Sequence, residues 1–319
     1  MVTVEVAPPE RVTRTKRASR TRDTGLGSPA HRKDPLVAWL LIAPAMLGFL
    51  LFVGYPTVRG IFLAFTNFDV LDPPKWVGLQ NFNDLIHDGA FWNSLFVTVY
   101  FVILTVVIGT IVSLATAVVL HRLTASTVIR GLIILPFLVS GVVAGTIWAW
   151  VLDPSLGIVN LVITKIFGHP ILFLGSRQWV IPTLALISVW KSMGYNAIII
   201  FAGLQTIPPT IYEAGRLDGA SEFKMFRHLT LPLLRPIMAL VVVLSVIGAF
   251  QVFDIVQVTT KGGPANASNV LQQRIYDTAF SGNLNFGYAS AMSLGLFAIL
   301  IVITFLQVRL LRASESDLN

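Results

Sequence analysis

No cysteine occurs in the 319 residues, so neither a disulfide framework nor thiol chemistry is available, and the redox compartment stays open. Charge is scarce as well. Asp, Glu, Lys and Arg make up 12% of the chain against 55% hydrophobic residues, which excludes an ordinary soluble domain and points to a lipid bilayer. A phosphate loop of the form Gly-x-x-x-x-Gly-Lys-Ser/Thr is missing, and with it the means to bind or hydrolyse ATP in this chain. The five histidines, His31, His87, His121, His169 and His228, are too scattered for a metal-binding helix, so no metal site is expected, and no catalytic constellation stands out.

What is abundant is long apolar sequence. Six runs, near 36–56, 92–120, 129–152, 179–204, 232–257 and 285–311, reach the roughly 20 residues needed to cross the hydrocarbon of a bilayer. Pro44, Pro136 and Pro182 fall inside runs and read as tolerated kinks, because neighbouring helices can satisfy the freed carbonyls. Residues 1–34 are rich in Arg, Thr, Ser and Pro and lack an apolar face, so they read as a basic cytoplasmic tail rather than a cleaved signal. The net charge of +7 would suit nucleic acid by amount, but its placement argues otherwise. With the N-terminus inside, sixteen Lys and Arg fall on the cytoplasmic side: eight in the tail, then Arg122, Arg130, Arg216, Lys224, Arg227, Arg235, Arg309 and Arg312. Six fall outside: Arg59, Lys75, Lys165, Arg177, Lys261 and Arg274. The positive-inside bias therefore favours N-in and C-in.

Between the fourth and fifth runs lies a polar island, residues 210–236. Thr210 with Glu213 has capping-box spacing, and a short helix is expected to begin near Ile211. Asp218-Gly219 signals a turn, Ser221 can cap a second short helix, and Pro232 suits the first turn of a third. In the second helix Phe223, Phe226 and Leu229 share one face and Lys224, Arg227 and His228 the other. Two-turn helices are marginal alone in water, so this hairpin must dock, either on lipid headgroups or in a groove on a partner protein.

Glu213-Ala214-Gly215, Asp218-Gly219-Ala220 and Leu231-Pro232 together resemble the EAA loop of permease subunits from binding-protein-dependent ABC importers, most of all the carbohydrate-uptake branch that includes the maltose permeases. In that family the loop is the coupling helix seated in a cleft of the cytoplasmic ATPase subunit. The resemblance implies ATPase coupling by Glu213, Ala214, Gly215, Asp218, Gly219, Ala220, Phe223, Phe226, Leu231 and Pro232. Gly215 departs from the usual third Ala, and glycine costs a helix about 1 kcal/mol, so a looser first helix is expected. Ala144 to Trp150 with Asp153, Gly157 and Asn160 is similar to the family's passage out of the third span. Lys261-Gly262-Gly263-Pro264 with Phe286-Gly287-Tyr288-Ala289 is similar to its last outer loop and final span. On the residues alone, Gly262-Gly263-Pro264 reads as a tight turn in an ordinary connecting loop or a docking surface.

The expected fold is an all-α membrane protein of six transmembrane helices, N-in and C-in, with a cytoplasmic coupling hairpin at 208–236. The permease domain covers 35–312, preceded by the tail 1–34 and followed by a short tail, 313–319. The implied partners are a second permease subunit, two ATPase subunits that hold the ATP and Mg, an extracytoplasmic solute-binding protein and the lipid of the inner cell membrane, with no nucleic acid and no cofactor in this chain.

Intramembrane polarity supplies the candidate substrate pathway. Lys191 lies near the middle of the fourth run, and charges at that depth are expensive and face a cavity, the bundle interior or a partner. Gln251, Asp254 and Gln257 are spaced by three on the fifth run as one drifting polar stripe, and Trp190, Tyr195, Asn196 and Phe253 are near in sequence. Amides and aromatics suit a sugar, though polar side chains also bridge membrane helices. Trp148, Trp150 and Trp179 read as interface or packing residues. The solute reading is a sugar, with a polyol or glycerol phosphate as the alternative; a proton-coupled carrier using Lys191 and Asp254 is the competing class.

Overall fold

The computed structural model describes residues 35–123, 126–281 and 284–312; the expected tails at 1–34 and 313–319 lie outside the described residues. The chain divides into two compact units, Met1–Pro56 and Thr57–Asn319. In the first, α1 (Pro35–Phe49) contains Pro44 and runs into a π-helical turn, Leu50–Gly54. Then comes α2 (Tyr55–Leu63), and Trp39–Leu63 is long and apolar enough to cross a membrane.

Among the described residues the second unit is built of helices joined by loops, and its β-pairing is an isolated bridge between Thr66 and Trp76. After a short α3 (Gln80–His87), the chain forms α4 (Gly89–Leu123), α5 (Thr127–Leu138), α6 (Gly141–Val151) and α7 (Ile158–Phe167). The 26-residue α8 (Val180–Gln205) leads to three short helices, α9 (Pro209–Leu217), α10 (Glu222–Met225) and α11 (Leu231–Leu233). The chain closes with α12 (Arg235–Phe250), α13 (Asp254–Thr259), α14 (Leu271–Phe280) and α15 (Phe286–Arg312). Among the described residues, five helical segments meet the length and hydropathy of a span, and a sixth does if α5 and α6 count as one.

Two runs expected as single helices are broken. The third, 129–152, becomes α5 and α6 meeting at 93°. Pro136 removes an amide from the last turn of α5, and Ser140 then caps α6, its Oγ accepting the Val143 N–H at 3.4 Å. The fifth, 232–257, stops at Phe250 and restarts at Asp254, with Phe253 outside the helical region at φ −143° and ψ −59°. Pro182, expected as a kink, instead sits in the first turn of α8, where its missing N–H removes no bond.

The long α8 is the spine, packing along α4, α5 and α12. At Gly194 any side chain would run into the Ile133 carbonyl, so α8 and α5 touch backbone to backbone, the role small residues play between membrane helices. One apolar cluster gathers around Phe101, Leu184, Val256, Leu271 and Met292, and a second, nearer the hairpin, around Leu120, Ile200, Leu204, Leu234 and Val241. The turn after α6 is tied by the buried Asn160, whose Nδ2 donates to Leu152 O at 2.9 Å and Ile171 O at 3.1 Å while its Oδ1 accepts the Ile171 N–H at 2.8 Å. Asp153 closes the same turn by accepting the Ser155 and Leu156 N–H groups, both at 2.8 Å, which hold its carboxyl below the usual carboxylate range. Gly262, at φ +84°, makes the tight turn expected at 262–264.

Candidate functional site

The hairpin and a cavity among the broken spans are the two candidate sites. In the hairpin, Pro208 and Pro209 open α9 without a side-chain cap, so the expected Thr210–Glu213 capping box does not form: the helix starts two residues too early for it. Its end is a Schellman motif. Gly219 N–H donates to Arg216 O at 3.0 Å and Ala220 N–H to Gly215 O at 2.9 Å, with Gly219 at φ +73°. Ser221 then caps α10, its Oγ accepting the Lys224 N–H at 3.4 Å. A π-helical turn, Phe226–Thr230, carries the chain through α11, with Pro232 in its first turn, into the membrane helix α12.

Which face of this segment turns inward differs from the expected Phe223–Phe226–Leu229 stripe. Met225 and Thr230 are buried, Phe226, Leu229, Leu231 and Pro232 are half-buried, and Phe223 is 71% exposed. The extra residue of the π turn rotates the register, and the Tyr212 and Thr230 hydroxyls meet at 3.1 Å. Gly215 is buried where the two arms close. A Cβ there would lie 3.1 Å from Leu229 Cδ1 and 3.2 Å from Met225 Sδ, so glycine brings the arms together where looseness was expected. Glu213, Ala214, Asp218 and Gly219 are exposed, Ala220 is half-buried, and Leu217 and Phe223 project beside the turn at 89% and 71% exposure. Beneath them is a hollow of about 580 Å³ lined by His121, Arg122, Tyr212, Glu213, Arg216 and Glu222. Glu222 spans it, pairing with Arg122 at 2.8 Å and Arg216 at 3.8 Å.

The cavity, about 380 Å³, lies where the two broken spans face each other. Phe137 and Gly141 come from the α5–α6 break, Gln251, Phe253 and Asp254 from the α12–α13 break, Lys191, Tyr195 and Asn196 from α8, and Thr105 from α4. Irregular backbone at membrane depth is tolerated where it lines such a cavity. Phe137 and Tyr195 stack, centroids 4.4 Å apart and planes 12° apart, and the Lys191 ammonium lies 5.5 Å from the Phe137 centroid. Asn196 donates to Ser245 Oγ at 3.2 Å. Asp254 packs on the first residue of α6: a Cβ on Gly141 would stand 2.9 Å from Asp254 Cβ and 3.0 Å from Oδ2. A carboxylate there is favoured by the positive end of the helix dipole.

Five of the six residues expected in the pathway, Lys191, Tyr195, Asn196, Gln251 and Asp254, therefore meet in one cavity. Gln257 does not. The break after Phe250 splits the expected stripe, and Gln257 Oε1 accepts Gln273 Nε2 at 2.7 Å, a link between α13 and α14. Lys191 and Asp254 are not among the ion pairs of the described residues. Trp190 is edge-on to Trp148 at 5.5 Å instead of lining the cavity. Phe137, Thr105 and Ser188 were missed; the Ser140-Gly141 dipeptide after Pro136 was the available signal for the break that brings Phe137 in.

Residues 109–317 match the family described as binding-protein-dependent transport system inner membrane component. The trehalose/maltose transport system permease protein MalF of Thermococcus litoralis is 31% identical over 90% of this chain and 97% of its own. The sulfoquinovosyl glycerol transport system permease protein SmoG of Agrobacterium fabrum is 30% identical over 88% and 92%, and the sn-glycerol-3-phosphate transport system permease protein UgpA of the same organism 32% over 86% and 94%. In fold, the chain matches a chain of a bacterial ABC transporter involved in the import of the acidic polysaccharide alginate, with a TM-score of 0.77 at 24% identity, over 88% of this chain and 98% of that one. The chain thus belongs to the family of inner membrane components of binding-protein-dependent transport systems, as a multi-pass permease subunit.

Proposed function

We propose that the chain carries a sugar or sugar-like solute into the cell as one of two permease subunits, driven by two ATPase subunits and supplied by an extracytoplasmic solute-binding protein. The observation that carries this reading is the cavity: an aromatic stack, amides and hydroxyls gathered at the breaks of two membrane spans, beside the midpoint of α8. A sugar ring needs a flat apolar face and hydroxyl partners, and these side chains supply both. The relatives named for trehalose/maltose, sulfoquinovosyl glycerol and glycerol-3-phosphate transport support the solute class.

The hairpin is the surface for the ATPase. Leu217 and Phe223, exposed either side of a turn fixed by Gly219, fit an apolar cleft with Glu213 and Lys224 at its rim. Glu222 joins the hairpin to the end of α4 through Arg122, giving ATPase movement a direct path to a membrane helix. ATP and Mg belong to the ATPase. The test is uptake in liposomes holding this chain with its partner permease and ATPase: transport must need ATP inside and binding protein outside. Uptake by this chain alone, driven by a proton gradient, would replace the reading with a secondary carrier.

A further inference from the structure

Lys191 makes no ion pair among the described residues. Among the described residues the ion pairs are Arg122–Glu222, Arg216–Glu222 and Arg274–Asp88, none in the cavity. A ring quadrupole attracts a cation more weakly than a full opposite charge, so Phe137 at 5.5 Å leaves Lys191 undercompensated. Asp254, the one carboxylate among the described residues that line the cavity, is placed for another task, packed against Gly141 where α6 begins.

Two hydroxyls in the same wall are equally unmet. Ser188 precedes Lys191 by three residues on one face of α8, and Thr105 faces it from α4 with only 9% of its surface exposed. Ser188 Oγ and Thr105 Oγ1 are shut off from solvent with no hydrogen-bond partner among the described residues. Buried hydroxyls are rarely left so, and each can turn about χ1 to donate to a group in the cavity. Cation and donors thus line one cavity. One turn beyond Lys191, Tyr195 stacks its ring on Phe137 and Asn196 donates its amide to Ser245.

Resting on the permease reading above, the geometry points to a solute that is a small polyhydroxy compound bearing one anionic group, a sulfonate, phosphate or carboxylate. The anion sits on Lys191, Ser188 and Thr105, and the polyhydroxy body lies along Tyr195 and Asn196. A volume of about 380 Å³ suits one or two sugar-sized units and excludes a polymer held whole.

The experiment uses the complete importer in liposomes with three anionic probes, glycerol 3-phosphate, glucuronate and 6-deoxy-6-sulfoglucose, and three neutral ones, glycerol, glucose and maltose. Expected is ATP-dependent uptake of at least one anionic probe in preference to its neutral counterpart, reduced about tenfold or more in Lys191→Met and substantially kept in Lys191→Arg. The double variant Ser188→Ala, Thr105→Val leaves the membrane charge unchanged and should weaken the same probe's apparent affinity, which keeps the test open if Lys191→Met fails to insert. ATP-dependent uptake confined to neutral probes, or anionic uptake unaltered in these variants, overturns the anion site while leaving the permease function standing. Uptake that needs no ATP overturns both.

Discussion

Asp254 and Gly141 are in contact in the cavity wall, the carboxylate of one broken span resting on the first residue of the helix that restarts the other. Each break explains the other: a side chain at 141 would occupy the space of Asp254, and a neutral group at 254 would leave the start of α6 without its anion.

Gly141→Val should therefore force the breaks apart, at about 1–3 kcal/mol of overpacking, and lower uptake with the protein still in the membrane. Lys191→Met and Asp254→Asn should each impair uptake, and the double variant should be no better than the worse single, because the two are not an ion pair. Double-mutant coupling under about 0.5 kcal/mol is expected. Clear recovery in the double would mean that they pair in another conformation.

Gly219 tests the hairpin. At φ +73° it closes the Schellman motif, a conformation that costs a β-branched residue on the order of 1–2 kcal/mol or more. Nothing lies within 4 Å of a Cβ built there, so the backbone alone resists the change. Gly219→Val should insert normally while losing most ATPase stimulation, read as hydrolysis in the reconstituted complex. Stimulation like the parent's would show that the turn does not bear on coupling.

The hairpin was legible because its signals are local: Pro208-Pro209, Asp218-Gly219, Ser221 and Pro232 each act on the backbone within a turn. The cavity was half legible. Lys191 and Asp254 stood out because charge is costly in a membrane run, and both do line it. The break at Gln251–Phe253 carries no Gly or Pro, so a helical stripe through Gln257 was the natural reading and tertiary packing overrode it. Asp88 carried no sequence signal, since its partners Arg274 and Tyr288 come from far along the chain.

Asp88 sets a pH dependence. Burial pushes its carboxyl up, but the Tyr288 hydroxyl at 2.9 Å, the Ala90 N–H at 2.8 Å, Arg274 at 3.4 Å and the Phe91 N–H together hold it below the ordinary carboxylate range. With the folded value depressed, the stabilisation is fully present above the unfolded value of about 3.9 and is lost as pH falls through the folded value. Thermal unfolding in detergent should show a loss of stability as pH falls below about 4. Asp88→Asn should be less stable at neutral pH and flatter across that window; an unchanged profile would remove Asp88 as its source.

The two ends of α4 test the topology. At one, Arg122 pairs with Glu222 of the hairpin; at the other, Asp88 joins Arg274 and Tyr288. α4 is long enough to cross a bilayer, so the two networks belong on opposite faces. The excess of Lys and Arg predicts the cytoplasm for the hairpin end. A reporter active only in the cytoplasm should therefore work when fused after Arg122, His228 or Asn319 and stay silent after Asp88, Gly168 or Gly263. Fusions at Asp88 and Gly168 flank the bent pair α5–α6 and share a face only if that pair counts as one crossing. Activity after Gly168 with silence after Asp88 would make the pair re-entrant, and activity after Gly263 would invert the face assigned to the last outer loop.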